Sequence, residues 1–222
     1  ARDAWLDHPL VRFCLAPHAP YTVADSTFER IATLAGQLAL PVHCHIHETR
    51  HEVEESLRLH GMRPLERLRR LGLLGPGFIG VHGVHLNEDE IALLAEVGAT
   101  VAHCPASNLK LASGIAPVAR MRQLGLRVAL GTDGAASNNR RDVLAEMRLA
   151  ALLAKGVSGN AAALPARKVL RMATLDAATA LGLGDEIGSV TAGKAADLVA
   201  ISLAELPCRP CFDPVSPLLH VA

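Results

Sequence analysis

Five times along this chain, a short run of β-forming residues ends in a polar cluster and gives way to a helix-like segment. VRFCLAPHAPYT carries His18, PVHCHIHET ends in His45 to Glu48, GFIGVHGVH carries His82, TVAHCPASN carries His103 and RVALGTDG ends in Asp133. The intervening helices are expected over Ser26–Leu40 (capped by Asp25 or Ser26), over 51–72 with a break at Pro64, over Glu88–Val97 closed by Gly98, and over Val118–Leu124 closed by Gly125. Two more are expected near 141–155 and 165–182. Alternating strands and helices build a parallel sheet, either doubly wound or closed into a barrel. A chemistry-bearing residue at the end of every strand favours the barrel, because a TIM-type barrel assembles its site at that end. An open sheet needs such groups only near its switch point.

The tail breaks the rhythm. GDEIGSVTAGKAADLVAISL has glycine-rich turns and alternating apolar residues with no helix after them, which predicts the start of a small β unit. We therefore divide the chain into a partial barrel, 1–184, and a partial β-sandwich segment, 185–222.

Composition excludes several classes. With 22 Lys plus Arg against 22 Asp plus Glu, there is no global basic field to attract nucleic acid or an anionic membrane. Aromatic residues are 3% of the chain, which weakens base stacking as a mode of binding. No apolar run approaches the ~18 residues of a membrane span. Five cysteines, an odd number at irregular spacing, fit reduced thiols and a cytoplasmic setting. The lone CRPC of Cys208 to Cys211 is a weak zinc or redox signal.

Within VHCHIHET, strand alternation puts Val42, Cys44 and Ile46 on one face and His43, His45 and His47 on the other. Such histidines, with the Asp133 carboxylate from the last strand, suit Zn²⁺ or Fe²⁺. A thiol nucleophile is a poor alternative, since Cys44 and Cys104 neighbour His43 and His103 in sequence and so face the opposite way.

Taken together, HxHxxET (His43 to Thr49), VHGVHL (Val81 to Leu86), HCPASNLKLASGIAPV (His103 to Val118) and GTDGAASNN (Gly131 to Asn139) resemble the amidohydrolase superfamily. APHAPYT (Ala16 to Thr22), MATLDAATALGL and IGSVTAGKAADLV (Met172 to Val199) extend the likeness along essentially the whole chain. It is most similar to the branch that deaminates 5-methylthioadenosine and S-adenosylhomocysteine, alongside nucleobase deaminases and triazine hydrolases. The resemblance implies one divalent metal, zinc first and Fe²⁺ second, with His45 and Asp133 as ligands. It implies Glu48 as the proton-transferring acid, Asp133 as base, His82 in contact with the reacting water or the substrate, and His18, Glu48 and Asp133 as substrate contacts. His43 is not a ligand in the family pattern. His43 and His47 are expected to be structural, and Ser107 and Asn108 to shape a loop.

The family pattern also has an HxH at the end of its first strand, and this chain has no counterpart. Its first strand matches the fourth of the barrel, so the resemblance implies about strands 4–8 of a longer enzyme. The expected partners are a small nucleoside or heterocycle, with no nucleic acid and no membrane. Unpaired parallel edges invite association, homo-oligomers included. The competing readings are a guanine, oxopurine or cytosine deaminase, a triazine hydrolase, and a catalytically incomplete barrel fragment.

Overall fold

The computed structural model describes residues 2–221. Four parallel strands form one sheet in the order β1 (Val42–Ile46), β2 (Phe78–His82), β3 (Thr100–His103) and β4 (Arg127–Leu130). Each strand pairs with its successor, Val42 opposite Phe78, Ile79 opposite Thr100, and Thr100 opposite Arg127. The order never reverses, so the sheet has no switch point and winds in one direction, as a barrel wall does.

The helices fall where caps and glycines direct them. α1 (Asp25–Leu38) precedes β1, and α2 (Arg50–His60) and α3 (Pro64–Arg70) link β1 to β2. Thr49 caps α2 by accepting from the Glu52 amide, Gly61 closes it in a left-handed conformation, and Pro64 opens α3 at its first turn. α4 (Glu88–Glu96) starts with a capping box between Asn87 and Glu90. α5 (Pro105–Lys110) and α6 (Val118–Gln123) connect β3 to β4. α7 (Ala135–Asn138), α8 (Val143–Ser158), α9 (Ala166–Ala173), α10 (Leu175–Ala180) and α11 (Val215–His220) follow. The single helix expected over 165–182 is therefore two, broken at Thr174.

Two expected elements do not form regular strands among the described residues. Residues 11–22 do not form a strand. Only Leu15 bridges to Val42, and the segment runs beside β1 through the His43 and His45 amides, which donate to the carbonyls of Leu15 and His18 at 2.9 and 3.1 Å. Pro17 and Pro20 bracket His18 and remove amide donors that a ladder would need. The β unit expected in 185–222 is also not formed among the described residues. Its alternating residues stand in solvent, with Val190 88% and Val199 83% exposed, because no partner strand lies beside them. The chain instead ends in α11, whose Val215 and Leu219 are buried against α8 and α9.

One core lies between the sheet and its helices, with Val42, Cys44 and Ile46 packed among Phe28, Leu65, Leu68 and Phe78. Gly80 makes room for it. A Cβ there would sit 2.3 Å from Cδ1 of the fully buried Ile46. Gly80→Ala should therefore cost about 1–3 kcal/mol as an overpacked core residue, measured by urea unfolding. Pairing it with Ile46→Val should recover part of that loss.

Candidate active site

Three strand ends share one backbone feature. His47, which follows β1, His82, which ends β2, and Asp133, which follows β4, have φ of +51°, +75° and +61°. These are left-handed values that non-glycine residues rarely adopt. Each turns the chain sharply at the same edge of the sheet, and polar side chains from all four strands collect there.

At its centre is His82, 1% exposed. Its Nε2 lies 3.8 Å from Glu48 Oε2 and 4.0 Å from Asp133 Oδ2. The ring of His45 stacks on it at 5.4 Å between centroids and 22° between planes, and His18 meets His45 edge-on at 5.1 Å. The five residues singled out from the sequence, His18, His45, Glu48, His82 and Asp133, are thus brought together.

Each is held by a named contact. His45 Nδ1–H donates to the His18 carbonyl at 2.6 Å. Thr22 Oγ1 donates to the Ala19 carbonyl and so accepts from His18 Nδ1 at 2.8 Å. Both imidazoles therefore present Nε2 unprotonated when neutral. Ser107 donates to Asp133 Oδ2 at 2.6 Å and the Gly134 amide to Oδ1 at 2.6 Å. Burial alone would push the Asp133 carboxyl up. These two donors, with His82 and His45 nearby, outweigh it and hold the group below the usual aspartate value. Burial drives His82 down, against the attraction of Glu48 and the Asn108 hydrogen bond. Ser113 donates to Glu48 Oε1 at 3.2 Å.

Charged residues that carry no motif position these groups. Buried Glu52 accepts from the amides of His47 and Glu48 at 3.0 and 2.8 Å, pinning the turn that aims Glu48. Buried Glu146 accepts from the Ala106 amide and from Asn138 Nδ2, tying the start of α5 to the loop after Asp133. Buried Arg67 grips the loop of His18 through the carbonyls of Pro20 and Val23 and the carboxylate of Asp25.

A family model described as "Amidohydrolase family" matches residues 4–218. The chain belongs to the amidohydrolase family. It is 50% identical over 219 residues to a 5-methylthioadenosine/S-adenosylhomocysteine deaminase of Teredinibacter turnerae, covering 99% of this chain and 50% of that protein. It is 46% identical to the deaminase of the same name from Pyrococcus furiosus, covering 98% of this chain and 51% of that one. Among solved structures, an adenosine deaminase from Xanthomonas campestris with bound zinc superposes at a TM-score of 0.97 and 51% identity, over 100% of this chain and 50% of that one. An atrazine chlorohydrolase from Arthrobacter aurescens, complexed with zinc and atraton, does so at 0.90 and 30%, over 97% and 49%. The chain spans about half the length of these relatives.

In this amidohydrolase, the donors present suit a divalent metal. His45 has its Nδ1–H fixed on a backbone carbonyl, the arrangement that leaves Nε2 to a metal and sets the ring's orientation. Imidazole nitrogen and carboxylate oxygen are zinc donors. Among the described residues, no group of three or more His, Cys, Asp or Glu side chains is arranged to hold a metal by itself. Of these donors, His45 offers one imidazole nitrogen and Asp133 one carboxylate.

The other cysteines and histidines separate from the site. Burial pushes the Cys44 and Cys104 thiols up to about 12, which leaves neither available as a thiolate. His43 stays on the exposed face of β1. His47 does not share that face as the alternation predicts. Its left-handed turn buries it completely, and its Nε2 accepts from the Leu65 amide at 3.1 Å. Ser107, expected only to shape a loop, bonds directly to Asp133. Its signal was its place on the short helix opened by Pro105, which a sequence cannot orient. Two network members, Glu52 and Glu146, left no readable signal, since each looks like an ordinary helix carboxylate.

His103 is 2% exposed, and its Nδ1 has no partner. Burial, with a smaller push from His82, drives it down to about 3. Below its unfolded value of about 6.5 the unfolded chain takes up a proton that the folded chain refuses. Stability is therefore fully present above pH 6.5 and is lost as pH falls toward 3. His103→Leu should flatten this dependence by up to about 1.4 kcal/mol per pH unit. Urea unfolding at several pH values between 4 and 7, with chelator present, measures it, and equal slopes in the two proteins would refute the assignment.

Proposed function

We propose that this chain supplies one half of the active site of a metal-dependent aminohydrolase. The substrate is an adenosine-type nucleoside with a thioether at its 5′ position, 5′-methylthioadenosine or S-adenosylhomocysteine, which loses its 6-amino group as ammonia. The observation that carries this reading is the pair of carboxylates, Glu48 and Asp133, that approach His82 Nε2 to 3.8 and 4.0 Å. Hydrolytic deamination needs one carboxylate to take a proton from water and another to give a proton to the heterocycle. The deaminases matched at 42–50% identity support the substrate class.

His45 and Asp133 would hold the metal, zinc or Fe²⁺, as two members of its ligand set. When bound, it supplies a water acidified from about 15.7 toward ~7. Asp133 would accept a proton from the attacking water. Glu48 protonates a ring nitrogen, so that the carbon bearing the amine becomes electrophilic. His82 orients the attacking oxygen, and His18 contacts the substrate. A second proton, returned through these carboxylates, lets the amine leave as ammonia and the carbon become a carbonyl.

In this reading the segment at Leu15–His18, bridged to β1 only at Leu15, takes the place of the fourth barrel strand, and β1–β4 are the fifth to eighth. Residues 1–184 belong to the barrel, and 185–222 begin a β-sandwich that pairs only with strands from elsewhere. No helix among the described residues is long and apolar enough to cross a membrane. We place the protein in the cytoplasm, acting on a small molecule, with its open edges available for homo-oligomer contacts.

The atrazine chlorohydrolase neighbour favours one rival, hydrolytic release of chloride. Ammonia against chloride release from adenosines, guanine, cytosine and chlorotriazines, assayed with the full-length protein, separates the two. Chloride release alone would overturn the deaminase reading.

The roles around β1 are separable in the same protein. His45→Ala should lower both metal content and turnover. Glu48→Gln should keep the metal, because an amide fills the same space, and lose at least about a hundredfold in kcat for want of a proton donor. His43→Asn should be milder than either. Metal by mass spectrometry and kcat for the three variants check this. Metal loss in His43→Asn but not in His45→Ala would refute it.

A further inference from the structure

Three imidazoles face the site, and the proton position of each depends on what its Nδ1 touches. For His45 the contact is a backbone carbonyl, and for His18 a hydroxyl whose own hydrogen is already committed to Ala19. Neither leaves a choice. For His82 the contact is the side-chain amide of Asn108, at 2.8 Å from Nδ1 to Oδ1. An amide has an accepting and a donating end, so its orientation decides which nitrogen of His82 bears hydrogen. Asn108 is 1% exposed, and its Nδ2 has no partner. A buried amide with an unsatisfied donor is expensive to keep, on the order of 1–3 kcal/mol. A mere spacer would be apolar.

The surroundings of Nε2 indicate which end is in use. An Nε2–H aimed at a carboxylate would close to about 2.7–2.9 Å. Instead Nε2 stands 3.8 Å from Glu48 Oε2 and 4.0 Å from Asp133 Oδ2, too far for a direct bond to either. Nε2 therefore makes no direct hydrogen bond to either carboxylate, while Nδ1 is engaged by Asn108 Oδ1.

We propose that Asn108 is a positioning residue that fixes the hydrogen of neutral His82 on Nδ1, so that Nε2 faces Glu48 and Asp133 as a third acceptor for the attacking water. The ring then steadies that water by accepting its hydrogen bond while Asp133 takes the proton, and does not donate to it. The inference deepens the deaminase reading, and its main measurement does not depend on it. The tautomer of His82 is read without turnover, so a failed deaminase assay leaves it intact.

The test uses the full-length protein with ¹⁵N-labelled histidine at pH 8, His82 being assigned by its loss in His82→Gln. Nitrogen chemical shifts and two-bond couplings to the ring protons distinguish Nδ1–H from Nε2–H. The wild type should show Nδ1–H. Asn108→Leu, close in volume and unable to accept, should move His82 toward Nε2–H and lower kcat at least about tenfold, with KM within about threefold. Asn108→Asp, which can only accept when ionised, should retain Nδ1–H. Nε2–H in the wild type, or an unchanged tautomer in Asn108→Leu, would overturn the proposal. The wild-type spectrum decides it even if a variant does not fold.

Discussion

The site depends on a backbone constraint, the left-handed turns at His47, His82 and Asp133. Non-glycine residues hold such φ values at a cost on the order of 1–3 kcal/mol each, so the surroundings must enforce them. They do so by continuing the ladder past the strands. The Gly83 amide donates to Ile46 O at 3.1 Å and the His85 amide to His47 O at 2.9 Å. The result is a rim in which the backbone stays hydrogen-bonded where a loop would otherwise begin, and the side chains of the site project from it.

A second layer consists of buried glutamates. Glu52, Glu90 and Glu146 each accept from backbone amides near the rim, Glu90 at its own N-cap and also from Arg63 at 2.7 and 2.8 Å. Burial raises Glu52 and Glu146 against the pull of their donors. Charge near the His82 cluster thus fixes backbone geometry. A carboxylate bonded twice to backbone defines a turn more tightly than packing can, because both its lone-pair directions and the amide directions must match.

The chain's open surfaces follow from the same plan. A barrel wall has no free edge only when it closes. Here β1 has as its outer neighbour a segment bridged at Leu15 alone. The rim gathers the His45 imidazole and the Asp133 carboxylate around His82.

Most helices, and the four strands of the sheet, were legible in the sequence because caps, glycines and apolar runs act locally. So was the convergence of His18, His45, Glu48, His82 and Asp133, whose placement near strand ends follows from the βα rhythm. Tertiary structure alone decided the rest. That residues 11–22 make no strand, and that 185–221 remain without one, depends on neighbours that local pattern cannot supply. His47 left the face that alternation assigns it because a left-handed turn, enforced by Glu52 and the β2 loop, reverses the side chain. Ser107 on Asp133, Ser113 on Glu48 and Asn108 on His82 are contacts across 26 to 65 residues of chain. Hydrogen bonds of that kind are set by where elements pack, and no periodicity in the sequence encodes them.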